Sequence, residues 1–148
     1  MTQIFVSEED KMAGIKELIR VEENKGISFG DYTLSKKSKL SDFKYDGGSY
    51  KVKTYKEITK LERDGIFVYE SVPGTSVIGF ENTADRVSFS VEGFEDAQIT
   101  LELEAETDYE ITINGESAGV MKTNLGGKLS LGVELQENTS VSVVVEKK

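Results

Sequence analysis

The chain has 148 residues, of which 37% are hydrophobic and 30% are charged, and it contains no cysteine, histidine or tryptophan. This composition is typical of a globular domain. It excludes disulfides, thiolate nucleophiles, the Ser-His-Asp triad and metal sites built from cysteine or histidine. Any chemistry must therefore use carboxylates, lysine, tyrosine, hydroxyl side chains or a cation held by oxygen ligands.

The net charge of −9 is spread unevenly along the chain. Residues 1–65 carry 13 Lys and Arg against 12 Asp and Glu, whereas residues 66–148 carry 5 against 15. An acidic surface repels phosphate backbones and anionic lipids, so we expect neither nucleic acid nor a membrane as a partner. The unequal halves favour head-to-tail attraction between copies, and a homo-oligomer is therefore one expectation.

The segment Met1 to Asp10 is acidic and short of apolar residues. It lacks the basic start and the apolar stretch of a signal peptide. No window of the sequence approaches the roughly 18 consecutive apolar residues that predict a membrane span. The expected compartment is therefore the cytoplasm.

Two interpretations fit residues 12–22. Ser7 resembles a helix cap, and Ile15 and Ile19 follow it at helical spacing. The same isoleucines and Val21 also alternate with charged residues, and Glu22–Gly26 would then form the turn of a hairpin. The pattern slightly favours the strand over a short N-terminal helix.

Residues 76–148 alternate apolar and polar side chains almost throughout. An apolar set at period two predicts an antiparallel strand that covers a core with one face. Asn114-Gly115 is the strongest hairpin signal, because both residues accept positive φ, and Gly126-Gly127 is a second candidate. About seven strands at a spacing of about ten residues predict an antiparallel β-sandwich. The alternating runs are Val87–Val91, Ile99–Leu103, Tyr109–Ile113, Leu129–Leu135 and Val141–Val145.

Residues 1–72 are less regular and predict an irregular β layer in front of the sandwich of residues 76–148. The turn sequences Asp46-Gly47-Gly48 and Glu62 to Gly65 predict hairpins in this layer. Pro73 is the only proline and marks a turn between the two parts. Because the first part is too small to fold stably on its own, we expect both parts to share one core in a mainly β protein.

A basic and aromatic stretch supplies the first candidate binding residues. Lys51, Lys53 and Tyr55 fall on one side of a predicted strand, with further lysines nearby in the sequence. Ammonium groups beside a tyrosine ring suit an anionic sugar, which they would hold by charge pairing with its carboxylate and by stacking on the ring. The alternative is an exposed strand whose lysines are solvated and whose tyrosine belongs to the core.

An acidic run supplies the candidate metal ligands. Glu102, Glu104 and Asp108 belong to a series of carboxylates at every second position. Carboxylate oxygens are the ligands that Ca²⁺ prefers, although no calcium-loop motif accompanies them. A turn at residues 105–107 is expected to break the run, and a solvated strand face that discourages aggregation is the alternative. No cofactor is implied, and no pair of carboxylates stands out for acid–base catalysis.

Three stretches resemble a family of small bacterial proteins labelled endosialidase: residues 51–65 (KVKTYKEITKLERDG), 67–75 (FVYESVPGT) and 120–131 (VMKTNLGGKLSL). The resemblance covers the chain from about Ile15 onward, and the label implies cleavage of polysialic acid. Likeness to a non-catalytic stalk or accessory part would instead imply self-association or glycan contact. The large trimeric endosialidases of phage tails contain a catalytic domain that this chain cannot hold, and no catalytic residue carries over. The C-terminal part also resembles β-sandwich modules appended to carbohydrate-active enzymes.

The leading expectation is a non-catalytic binding or assembly module, because the strands are regular and no catalytic constellation is apparent. The first alternative is a lectin-like or hydrolytic protein that acts on anionic glycans of the sialic acid type. The second alternative is a β-domain stabilised by Ca²⁺. An enzyme is the less favoured class.

Overall fold

The computed structural model describes residues 14–23 and 26–148. Within these ranges the chain forms 13 β-strands and no helix, so it has none there that is long and apolar enough to cross a membrane. The strands build two antiparallel sheets packed against each other, which confirms the predicted β-sandwich. The predicted helix start at Ser7 lies outside the described residues. Ile19–Val21 is a strand that pairs with Ile27–Phe29, as the strand interpretation predicts, whereas residues 14–18 before it are not part of a strand.

One sheet has seven strands and the other has six, and every neighbouring pair of strands is antiparallel. The seven-stranded sheet consists, in spatial order, of β1 (Ile19–Val21), β2 (Ile27–Phe29), β7 (Ser76–Asn82), β8 (Arg86–Glu92), β13 (Val141–Lys147), β10 (Asp108–Ile113) and β11 (Glu116–Lys122). The six-stranded sheet consists of β12 (Lys128–Val133), β9 (Ala97–Glu102), β6 (Ile66–Val72), β5 (Ile58–Arg63), β4 (Gly48–Tyr55) and β3 (Ser38–Tyr45).

The predicted hairpin at Asn114-Gly115 is confirmed. It joins β10 to β11, and its two residues have φ values of 52° and 82°. Asp64-Gly65, between β5 and β6, has φ values of 51° and 79°. Positive φ at both central residues gives the turn a twist that matches the flanking strands, which explains why Asn-Gly and Asp-Gly occupy these positions.

The second predicted hairpin, at Gly126-Gly127, is wrong. These glycines lie between β11 and β12, which belong to different sheets and do not pair. Gly127 is instead required for a close approach, because a Cβ atom at this position would lie 2.3 Å from the carbonyl oxygen of Leu103. The glycine pair therefore lies in a connection between the two sheets. Its local sequence is the same for such a connection as for a hairpin turn.

One hydrophobic core joins the two sheets. Each sheet contains strands from before and after Pro73, whose preceding peptide bond is cis. At the centre of the core, the ring of Tyr69 lies edge-on to those of Phe29 and Phe89, with centroids 5.3 and 5.8 Å apart. Tyr69 belongs to the six-stranded sheet, and both phenylalanines belong to the seven-stranded sheet. These rings therefore hold the two sheets together.

A buried cluster of hydroxyl groups lies near the β4–β5 and β6–β7 turns. Thr75 Oγ1 lies 2.8 Å from Tyr69 Oη and 2.7 Å from Ser71 Oγ. Thr59 Oγ1 donates to the carbonyl oxygen of Thr75 at 2.7 Å and lies 2.7 Å from Thr54 Oγ1. Because these five buried groups satisfy one another, the penalty for burying polar atoms is offset. We call these residues the hydroxyl cluster.

Candidate functional site

Four lysines gather on the outer face of the six-stranded sheet. Lys51 and Lys53 lie on the side of β4 opposite to the buried Tyr50 and Val52, as the alternation predicts. The antiparallel register sets Lys39 of β3 opposite Lys53 and sets Lys53 opposite Lys60 of β5. Neighbouring strands lie about 4.8 Å apart, so three ammonium-bearing side chains stand in a row across three strands. We call Lys39, Lys51, Lys53 and Lys60 the lysine face.

The lysine face is positive although the chain as a whole is acidic. Like charges directly opposite each other destabilise a sheet, so the row of three lysines opposes folding slightly. The carboxylates of Glu62 and Glu70 border the lysine face. Glu62 lies opposite Lys51 in the register, with its Oε2 3.5 Å from Lys60 Nζ, and Glu70 of β6 lies opposite Lys60. The four lysines and Glu62 enclose a shallow groove of about 70 Å³. A groove with an excess of ammonium groups is suited to the carboxylates of a ligand.

Tyr55 lies on the same side of β4 as Lys51 and Lys53, but its ring already contacts another side chain of the protein. Lys37 Nζ lies 5.7 Å from the ring centroid, in a cation–π contact. The Tyr55 hydroxyl donates to Glu57 Oε1 at 3.1 Å, and this hydrogen bond raises the pKa of the phenol. The structure therefore brings the three predicted residues onto one face, and Lys37 occupies part of the stacking surface that we expected on Tyr55.

Two of the three predicted metal ligands are paired with lysines, and the third lies in the other sheet. Glu102 Oε1 lies 2.8 Å from Lys128 Nζ, and Glu104 Oε1 lies 3.0 Å from Lys147 Nζ. Asp108 begins β10 in the other sheet, after the turn that breaks the acidic run as predicted. Among residues 14–23 and 26–148, no group of three carboxylates that could hold a metal ion is present.

A larger cleft, of about 610 Å³, lies at the end of the sandwich where the hydroxyl cluster is buried. Its walls come from the end of β6 and from four connections between strands, three of which join one sheet to the other. They include Tyr32, Lys56, Glu57, Val72 and Phe94. We call it the end cleft. No local pattern of the sequence indicates that the loops around residues 32, 56, 73 and 94 meet, so the cleft could not be predicted.

Glu92 is a buried carboxylate close to the end cleft. Its residue is 5% exposed, and its Oε1 atom has no hydrogen-bond partner among the described residues. Burial raises its pKa from the ordinary value of 4.5 to about 7. Burial also raises the pKa of Tyr32 to about 12, and the charge of Glu92 adds to this effect. The charge of Glu92 therefore changes near neutral pH.

The lysine face offers charge without an enclosing cavity, the end cleft offers a cavity with few charges, and Glu102 and Glu104 are paired with lysines. The chain matches no protein-family model, and no curated protein or solved structure is significantly similar to it.

Proposed function

We propose that this protein is a non-catalytic binding module that holds an extended anionic glycan on the lysine face. The observation that carries the proposal is the row of directly opposed lysines, Lys39, Lys53 and Lys60. Such a row raises the energy of the folded sheet, and a polymer with repeated carboxylates would relieve the repulsion on binding. The proposed ligand class is a glycan of the sialic acid type, in which every sugar carries a carboxylate.

The flat shape of the lysine face favours a polymer over a single sugar. The groove between the lysines is too small to enclose a sugar ring, so each unit of the glycan would make only a few contacts. Lys51 and Lys53 lie about 6.8 Å apart along β4, and the row across the strands runs perpendicular to them. Several weak contacts of this kind add up when one chain engages all four lysines.

Replacing Lys53 by glutamine should weaken binding of polysialic acid about tenfold, because one charge-assisted contact is lost at the centre of the lysine face. The same change should leave the melting temperature equal or slightly higher, because Lys39 and Lys60 lose a repulsive neighbour. Binding of end-labelled polysialic acid at low ionic strength, by fluorescence anisotropy, measures the first effect. Differential scanning calorimetry measures the second.

Lys122→Gln is the matched control, because Lys122 is an exposed strand lysine in the other sheet. It should bind as the unaltered protein does. Affinity should fall as salt is raised, since screening shortens to about 3 Å at 1 M. Equal affinities of K53Q and K122Q, or no binding at low salt, would contradict the proposal. Shortening of the labelled polymer in the same samples would favour the hydrolytic alternative.

A further inference from the structure

The end cleft has the size and rigidity of a site for a small ligand. Its volume of about 610 Å³ lies within the range of typical ligand pockets. The cleft and the lysine face are formed by different residues, so a ligand of the cleft need not share the chemistry of the polymer proposed above.

Part of the lining of the end cleft is apolar and exposed to solvent. Phe94 is 51% exposed and Val72 is 52% exposed, and Pro73 also belongs to the lining. The Phe94 ring is held edge-on against Tyr32, with centroids 4.7 Å apart and planes at 85°. An aromatic ring that is fixed in orientation and exposed in a cleft is suited to stacking against a flat apolar surface.

The remaining lining is polar and carries both signs of charge. Lys56 and Glu57 come from the β4–β5 turn, and Glu95 lies next to Phe94. Thr33 and Ser35 add hydroxyl groups. One ammonium and two carboxylates leave the cleft slightly negative, so it disfavours an anionic ligand. Donors and acceptors together suit a ligand with several neutral hydroxyl groups.

The loops around the end cleft are tied to one another by backbone hydrogen bonds. Lys56 N donates to Leu34 O at 2.9 Å, and Gly74 N donates to Lys56 O at 3.0 Å. Asp31 N donates to Thr54 Oγ1 at 2.8 Å, which joins the loop of Tyr32 to the hydroxyl cluster beneath. Because these groups are already fixed, a ligand would cause little further loss of conformational freedom.

We infer that the end cleft binds an uncharged sugar ring, with the apolar face of the ring stacked on Phe94 and its hydroxyl groups bonded to Lys56 and Glu57. A sugar ring combines one flat apolar face with a rim of hydroxyls, and this matches the two kinds of wall. The inference is independent of the lysine face, because neither Phe94 nor Glu57 contributes to that surface.

The test uses the ¹⁵N-labelled full chain and four probes: the methyl glycosides of galactose, glucose, mannose and N-acetylglucosamine. At least one of them should shift amide signals of residues 32–35, 56–57 and 93–95 in a saturable titration. Phe94→Ala should weaken that binding at least fivefold, whereas Leu125→Ala, at a residue 81% exposed outside the cleft, should not change it. Glu57→Gln is a second variant that keeps Phe94 in place, and it should also weaken binding.

Each outcome decides the inference. No saturable shift in the cleft with any of the four glycosides would overturn it, as would equal affinities of F94A and L125A. A fold check on each variant by amide spectra separates loss of binding from loss of structure, and E57Q remains informative if F94A is unfolded. Shifts restricted to residues 39, 51, 53 and 60 would also overturn it, because they would place the sugar on the lysine face.

Discussion

Replacing Tyr69 by alanine should destabilise the protein by about 3–5 kcal/mol, the largest effect that we expect from a single substitution. The fully buried Tyr69 ring packs between Phe29 and Phe89, and its loss would leave a cavity where the two sheets meet. The change also removes a hydrogen bond to Thr75, which leaves the hydroxyl cluster incomplete. Urea denaturation monitored by circular dichroism measures the free energy of unfolding.

Two control variants separate the contribution of the ring from that of the hydroxyl group. Tyr69→Phe keeps the ring and should cost about 1–3 kcal/mol, since a buried partner then loses its hydrogen bond. Tyr55→Ala removes a tyrosine from the outer face and should cost clearly less than Tyr69→Ala. Similar losses for the tyrosine-to-alanine changes at positions 55 and 69 would show that the core does not depend on the ring cluster.

Glu92 should make the folded protein less stable as the pH rises from about 4 to about 8. Glutamate in the unfolded chain loses its proton near its ordinary pKa of 4.5, whereas burial keeps Glu92 protonated up to about pH 7 in the folded protein. Between these values the folded state binds more protons than the unfolded state, so rising pH favours unfolding. The effect should level off above the folded pKa and amounts to at most about 3 kcal/mol.

Glu92→Gln should remove this dependence, because the amide stays neutral throughout the pH range. The variant should be more stable than the unaltered protein at about pH 8 and should lose that advantage at about pH 4. Glu95→Gln, at an exposed position three residues further on, is the control and should leave the pH profile unchanged. Urea denaturation at a series of pH values gives the comparison. Parallel profiles for the unaltered protein and E92Q would contradict the assignment to Glu92.

Strands and hairpins could be predicted from the sequence because their signals are local. The alternation of Tyr50 and Val52 with Lys51 and Lys53 places the lysines on the outer side of β4 without any knowledge of the other strands. The turn at Asn114-Gly115 is likewise specified by two residues. The order of strands within each sheet could not be predicted, because it depends on which distant strands pair, and Gly126-Gly127 was misinterpreted for that reason.

The lysine face and the end cleft also differ in how far local sequence signals predict them. Two members of the lysine face were predicted, and Lys39 and Lys60 joined them only through the register with β3 and β5. The end cleft was missed because it depends on four connections from separate parts of the chain. One sequence signal was available: Thr54, Thr59 and Ser71 occupy inward positions of their strands, where apolar residues would be expected. Polar residues at such positions indicate a buried network whose surroundings merit inspection.

The position of β13 has a consequence for how the chain folds during its synthesis. β13 lies between β8 and β10, so the seven-stranded sheet cannot close until residues 141–147 have left the ribosome. Until then, the emerging chain presents the edges of β8 and β10 without their common neighbour. Pairings between residues so far apart form slowly, because the intervening chain must first be ordered. Strand edges that stay unpaired during that time favour aggregation of the incomplete chain.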